Sequence, residues 1–240
     1  MQLTLQDIFE QIENSELRHL YVGEANAGSI ATADYPKIIS HLNLGLIELY
    51  KRFSLKTREL TLQLYSHITL YKLHNDFADS DPNTSGEPYK YILDAHLEPE
   101  YRFTNDILFI LNVFNEIGNE FPMNDIDVET SIYTPEPNVI QMNYPDSENT
   151  ISIIYRATPV KVPTNTTDLT YEVPLPSQFL ESISAFIGYR EHVGRGVGET
   201  NPEASFWFGQ FLQAAGLIKH MGTYQQDTTV NMRFADNGWK

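Results

Sequence analysis

The sequence contains no cysteine in its 240 residues, which excludes disulfide bonds, thiolate metal sites and a cysteine nucleophile. Basic residues are also few, with 16 lysines and arginines against 32 acidic residues and a formal net charge of −16. A domain that grips nucleic acid normally carries a basic excess. The charge therefore argues against nucleic-acid binding, although an acidic channel wall would repel phosphate and let DNA slide past it.

Long apolar runs are missing as well. No stretch approaches the roughly 20 apolar residues that a membrane-spanning helix needs. The first seven residues lack the basic region and apolar core of a secretory signal, so we expect neither a membrane segment nor secretion. The apolar share of 41% and the aromatic share of 12% favour a folded protein, with one core or one core and an appended lobe.

Motifs for catalysis are scarce too. The seven histidines form no HExxH or HxH pair, and no serine lies in a GxSxG motif. The glycine-rich segment 194–198 lacks the Gly-Lys-Ser/Thr ending of a phosphate-binding loop, and it follows a helix where such a loop follows a strand. A helix end or a hinge explains this segment better.

The acidic segment with Asp76, Asp79 and Asp81 resembles a calcium-binding loop only in part. Counted from Asp76, the sixth position requires glycine but is occupied by Asp81. A solvated acidic loop is the better interpretation. The sequence therefore predicts no catalytic residue, no metal ligand and no cofactor, in a protein that is not an enzyme.

The C-terminal part of the chain has the clearest helical pattern. Apolar residues recur at three- and four-residue steps in 177–193, which predicts a helix that ends at the following glycines. A second helix is predicted from the capping residue Asn201, with Pro202 at its first position, to a stop at Gly222. Its apolar stripe would comprise Phe208, Phe211, Leu212, Ala215 and Ile218. The short connection predicts that the two helices are antiparallel neighbours.

Two further helices are predicted near the N-terminus. Residues 5–12 present one apolar face, and Thr4 and Asp7 stand at the positions of a capping box. Residues 35–53 predict a longer amphipathic helix, with Asp34 as its cap and Pro36 in its first turn.

In the middle of the chain, the pattern of apolar residues changes to the two-residue period that is typical of β-strands. Strands are predicted at 59–65, 68–73, 106–115, 127–133, 139–144 and 150–156. A tight hairpin turn is predicted at Gly118 and Asn119. The polar stretch 75–88 predicts a loop, and 89–101 predicts a weak helix.

Together these elements predict an α+β fold. It consists of an antiparallel helical bundle of residues 1–56 and 174–222, an inserted small antiparallel β lobe of residues 57–173, and an extended C-terminal tail of residues 223–240. The tail has little apolar content, so it either frays or becomes ordered on a partner. Its candidate partner-binding anchors are Tyr224, Val230, Met232, Phe234 and Trp239.

The order of these elements resembles the head–tail connector (adaptor) proteins of short-tailed bacteriophages, the tail-tubular-protein-A-like group. Five segments carry the likeness over most of residues 34–222: DYPKIISHLNLGL (34–46), DILFILNVFNEIGNE (106–120), ISIIYRATP (151–159), LPSQFLESI (175–183) and NPEA (201–204). In this order, the segments resemble the early helix of such adaptors, their hairpin, the strand that returns to the helical bundle, the start of the following helix, and the last helix.

The resemblance implies a structural virion protein that forms a ring of identical subunits, typically twelve, between the portal protein and the next tail component (a nozzle or tail tube protein). The ring would extend the DNA channel for genome retention and ejection, without specific DNA binding. It would stand at the head–tail junction of a virion assembled in the host cytoplasm. Two alternatives stay open: a hydrolase-like enzyme whose site forms only on folding, and a cytosolic protein-binding module.

Overall fold

The structure is a computed structural model that describes residues 2–19, 28–81, 89–146, 149–194 and 202–222. It divides the chain into two compact units. Unit 1 comprises Met1–Leu55 and Pro159–Lys240, and unit 2 is the continuous segment Lys56–Thr158. Residues 159–173, which the sequence prediction placed in the β lobe, belong to unit 1.

Four α-helices and eight β-strands occur in the described residues. The helices are α1 (Leu5–Asn14), α2 (Tyr35–Arg52), α3 (Leu180–Val193) and α4 (Pro202–His220). The strands are β1 (Gln2–Thr4), β2 (Thr57–Gln63), β3 (Leu70–Lys72), β4 (Ile107–Asn115), β5 (Ile132–Glu136), β6 (Val139–Met142), β7 (Thr150–Ala157) and β8 (Glu172–Pro176).

The predicted fold class is wrong. The described chain is a strand-rich mixture of four helices and eight strands in three antiparallel sheets, and not a helical bundle with a small β lobe. Even the helical unit contains a sheet, in which β1 pairs with β8. These two strands are too short to show a period of two, and Pro174 and Pro176 argue against a strand. The predicted tail, 223–240, lies outside the described residues.

Helix α3 is the central helix of unit 1. Its residues from Ser182 to Gly188 are all buried, and so are Glu191 and His192. A helix covered on all sides needs small residues where its neighbours come close. A Cβ added at Gly45 in α2 would lie 2.5 Å from Ile183 Cδ1, and one added at Gly188 would lie 2.9 Å from Glu16 Cβ. Close packing around α3 therefore depends on these two glycines.

Segment 159–173 is attached to α2 by side-chain hydrogen bonds. Asn43 donates from Nδ2 to the Val162 carbonyl at 2.9 Å and accepts from the Val162 N–H at 2.9 Å. Tyr50 donates to the Pro174 carbonyl at 2.6 Å. Asn43 thus satisfies both backbone groups of one residue in an extended segment, and the chain then enters β8.

The predicted start of α1 is confirmed in detail. Asp7 accepts a hydrogen bond from the Thr4 N–H at 2.9 Å, and Thr4 Oγ1 accepts one from the Asp7 N–H at 3.2 Å. This is a complete capping box. Asp34 stands at the N-cap of α2 as predicted, but its side chain makes no capping hydrogen bond.

Unit 2 is built on two three-stranded antiparallel sheets. Strand β7 lies between β2 and β4, and β6 lies between β3 and β5. The apolar side chains of these strands form one core, in which the large rings of Tyr71 and Tyr155 are fully buried.

Three local predictions in unit 2 have different outcomes. The turn at Gly118 is confirmed, because Gly118 has a φ of 84° and the Asn115 N–H donates to the Asn119 carbonyl at 2.9 Å. The helix predicted at 89–101 is wrong, since that segment contains two isolated bridges at Ile92 and a single 3₁₀ turn at Pro99–Tyr101. The strand predicted at 127–133 begins only at Ile132.

Candidate functional site

Helix α4 exposes an uncharged surface. The sequence has no charged residue from 204 to 218, yet the helix buries only the side that includes Phe211, Ala215 and Ile218. Large apolar side chains remain exposed elsewhere on it: Phe208 is 37% exposed, Leu212 41% and Leu217 54%. A helix that is apolar on all sides is normally covered on all sides. We call this exposed surface the α4 face (Ser205, Phe208, Gly209, Leu212, Gly216 and Leu217).

Two glycines on the α4 face have no packing role within the described chain. A glycine inside a helix costs about 0.5–1 kcal/mol relative to alanine. A Cβ added at Gly209 or Gly216 would meet nothing within 4 Å. Together with Ser205 and Leu212, these glycines follow one line along the helix at steps of four, three and four residues. Small residues on that line would let another element approach the α4 backbone closely.

A buried carboxylate links α2 to α3. Glu191 is 1% exposed, accepts a hydrogen bond from Lys37 Nζ at 2.6 Å and lies 3.2 Å from His41 Nε2. Burial by itself would raise the pKa of Glu191, but hydrogen bonds from His41 and Lys37 hold that pKa below its ordinary value. The carboxylate is therefore kept ionised, which suits a structural ion pair between two helices.

A cleft lies where the chain following α1 meets α3 and α4. Its walls include Glu16, His192, Glu203, Phe206 and Trp207, and it has a volume of about 440 Å³. His192 Nδ1 is 2.9 Å from Glu203 Oε2, and His192 Nε2 is 3.4 Å from the Glu16 carbonyl oxygen. The Trp207 and His192 rings are stacked, with centroids 6.3 Å apart. We call this feature the Glu16 cleft.

Acidic residues of unit 2 hold its loops together. Asp94 accepts a hydrogen bond from the Phe103 N–H at 3.0 Å, while Asp79 accepts one from the Asp94 N–H at 2.7 Å. Asp81 pairs with Lys90 at 2.9 Å. Asp79 and Asp81 therefore hold the loop together, where the sequence predicted a solvated acidic loop.

The predicted partner-binding anchors, Tyr224, Val230, Met232, Phe234 and Trp239, all lie outside the described residues. Within the described ranges, no group of three or more His, Asp or Glu side chains is placed to hold a metal ion. None of the helices there is long and apolar enough to cross a membrane.

Comparison with known proteins finds no family model that matches the sequence and no curated protein that matches it.

Proposed function

We propose that this protein is a structural subunit that associates with copies of itself through the α4 face and serves as a head–tail adaptor of a short-tailed bacteriophage. The observation that carries the proposal is the exposed and uncharged α4 face. The resemblance in element order over residues 34–222 supports the particular role.

The net charge restricts where two identical copies can meet. Each copy carries a formal charge of −16, so two copies repel each other over most of their surfaces. Contact through an uncharged face removes apolar area from water without bringing like charges together. The small residues Ser205, Gly209 and Gly216 would let the neighbouring copy reach the helix backbone.

A ring requires the α4 face to contact a different surface of the next copy. If the face contacted itself, the product would be a two-fold dimer that cannot grow. A head-to-tail contact repeats from copy to copy and closes when the rotation allows it. The adaptor role therefore requires closed rings, and a stable dimer as the end product would contradict it.

The test is the assembly of the full-length protein, alone and with the portal protein of the same virus. Analytical ultracentrifugation and negative-stain electron microscopy should show rings. Leu212→Glu should abolish them, because it places a charge in the centre of the contact. The matched control is Leu44→Glu, which adds the same charge at an apolar α2 position that is 44% exposed, close to the 41% of Leu212.

The two glycines give a second and more specific readout. Gly209→Ala and Gly216→Ala should each stabilise the monomer by about 0.5–1 kcal/mol and yet weaken assembly, because the added methyl group stands in the contact. A protein that stays monomeric with its portal contradicts the proposal. Assembly of Leu212→Glu at the wild-type level would show that the α4 face is not the interface.

The portal protein and the next tail component are the proposed axial partners, and DNA would pass through the ring without specific binding. We assign residues 223–240 to portal contact, through the five anchors named above. Deletion of 223–240 should weaken portal binding and leave contact between copies intact. Portal binding that is unchanged by the deletion would contradict this role of the tail.

A further inference from the structure

The Glu16 cleft contains a buried acid with an unsatisfied oxygen. Glu16 is 6% exposed, and its Oε2 atom accepts no hydrogen bond from any residue in the described ranges. Buried polar atoms in native proteins almost always have a partner, and leaving a charged acceptor without a donor is costly. This oxygen is therefore an acceptor at the cleft that no donor of the described residues satisfies.

The fold fixes the position of this acid. A Cβ added at Gly188 in α3 would lie 2.9 Å from Glu16 Cβ and 3.6 Å from Trp207 Cδ2. The aliphatic part of the Glu16 side chain thus packs against the α3 backbone at Gly188, beside the indole ring of Trp207. Burial raises the pKa of Glu16, and the side chains of Ser15 and Gln11 offset only part of that rise.

The second acid of the cleft already has a polar partner. Glu203 lies 2.9 Å from His192 Nδ1, whereas no Lys, Arg or His of the described residues forms an ion pair with Glu16. Helix α3 ends and α4 begins on this side of unit 1, so the opposite ends of two helix dipoles meet there and largely cancel. Glu16 is thus the acid of the cleft that forms no ion pair with the described residues, although His19 also lines the cleft.

Aromatic rings form the remaining wall. The Phe206 and Trp207 rings lie 5.1 Å apart at 74° to each other, and Phe206 is 55% exposed. Cations bind over aromatic faces, tryptophan best of all. A planar guanidinium suits such a wall better than an ammonium does, because it can stack on a ring while its edge donates to a carboxylate.

We propose that the Glu16 cleft is a binding site for a guanidinium group, whose edge donates to the Glu16 carboxylate and whose face lies on Trp207. The group comes either from an arginine side chain of another polypeptide or from a free arginine-like molecule. This site is separate from the α4 face, and the inference holds whether or not the protein forms rings.

The experiment is an NMR titration of the ¹⁵N-labelled full-length protein with N-acetyl-arginine methylamide. The indole N–H signal of Trp207, assigned with Trp239→Phe, should shift and saturate. Glu16→Gln should weaken binding about tenfold or more, because it replaces a charge-assisted hydrogen bond with a neutral one. Glu10→Gln, which removes the same charge from an exposed position on α1, should bind as the wild type does.

The neutral citrulline analogue is the ligand control, since it keeps the shape of arginine without its charge. Equal binding of the arginine and citrulline compounds would overturn the proposal, and so would unchanged binding by a folded Glu16→Gln or the absence of a saturable shift. If Glu16→Gln fails to fold, Glu203→Gln serves in its place and should give a smaller loss. Tighter binding of the blocked compound than of free arginine would identify a polypeptide side chain as the source, and the reverse would identify a small molecule.

Discussion

Two glutamates of unit 1 show how neighbours decide the state of a buried acid. Glu191 and Glu16 are each at least nine-tenths buried, and burial alone raises the pKa of both. Glu191 has Lys37 and His41 within 3.2 Å, and its pKa lies below the ordinary value. Glu16 has no cation among the described residues, and its pKa stays raised. The first acid stabilises the fold when ionised, and the second destabilises it when ionised.

Glu191 should make the fold sensitive to acid. A carboxyl with a lowered pKa stabilises the folded state fully above its unfolded-state pKa, and this stabilisation disappears as the pH falls through the folded-state pKa. Glu191→Gln should therefore lower the free energy of unfolding at neutral pH by about 1–3 kcal/mol. The difference from the wild type should shrink as the pH falls below about 4.

Urea unfolding of both proteins at several pH values would measure this effect. The control is Glu48→Gln, which removes a surface pair with Lys51 and should change stability by less than about 1 kcal/mol. A deficit of Glu191→Gln that is the same at every pH would show that the ion pair is not its cause.

At the scale of elements, the long helices could be predicted, whereas the short strands β1 and β8 could not. Helices α2, α3 and α4 have a repeating apolar pattern and clear end signals, such as Pro202. Strands β1 and β8, with three and five residues, are held by pairing with each other across the chain. Because these two strands are stabilised by tertiary contacts, their local sequence contains little signal that predicts a strand.

The side of α4 that faces the core could not be predicted either. The sequence placed Phe208 and Leu212 in one apolar stripe with Phe211, Ala215 and Ile218, but the structure exposes the first two and buries the other three. Because α4 is apolar on all sides, periodicity could not show which side faces the core. The Glu16 cleft was beyond prediction for another reason: it joins Glu16 to His192 across 176 residues of sequence, and no local motif links them.

Two glycine substitutions should separate helix packing from helix propensity. Gly45→Ala would place a methyl group 2.5 Å from Ile183 Cδ1 and 2.9 Å from Phe186 Cδ1. It should lower the free energy of unfolding by about 1–3 kcal/mol, because the core must shift to make room. Gly216→Ala adds the same group in open space and should instead raise stability by about 0.5–1 kcal/mol.

Both glycine variants would be made in the Leu212→Glu background, so that assembly adds nothing to the measured stability. Urea midpoints then compare the two effects directly. A neutral or stabilising Gly45→Ala would mean that α2 and α3 are less closely packed than the structure shows.

At the scale of the whole molecule, the chain leaves and re-enters unit 1 at neighbouring points. The Ala157 N–H donates to the Lys56 carbonyl at 3.0 Å, so the two ends of unit 2 lie side by side. Each unit also has its own apolar core. Unit 2 is thus a continuous insertion with adjacent ends, an arrangement that tolerates excision.

We therefore expect each unit to fold alone: unit 2 as the segment 56–158, and unit 1 with a short Gly-Ser linker in place of that segment. Cooperative urea unfolding of each piece would test this. Since the α4 face lies entirely in unit 1, Leu212→Glu should abolish any self-association of the linked unit 1, while unit 2 stays monomeric. Self-association of unit 2 alone would place the contact between copies on its strands and contradict the assignment to α4.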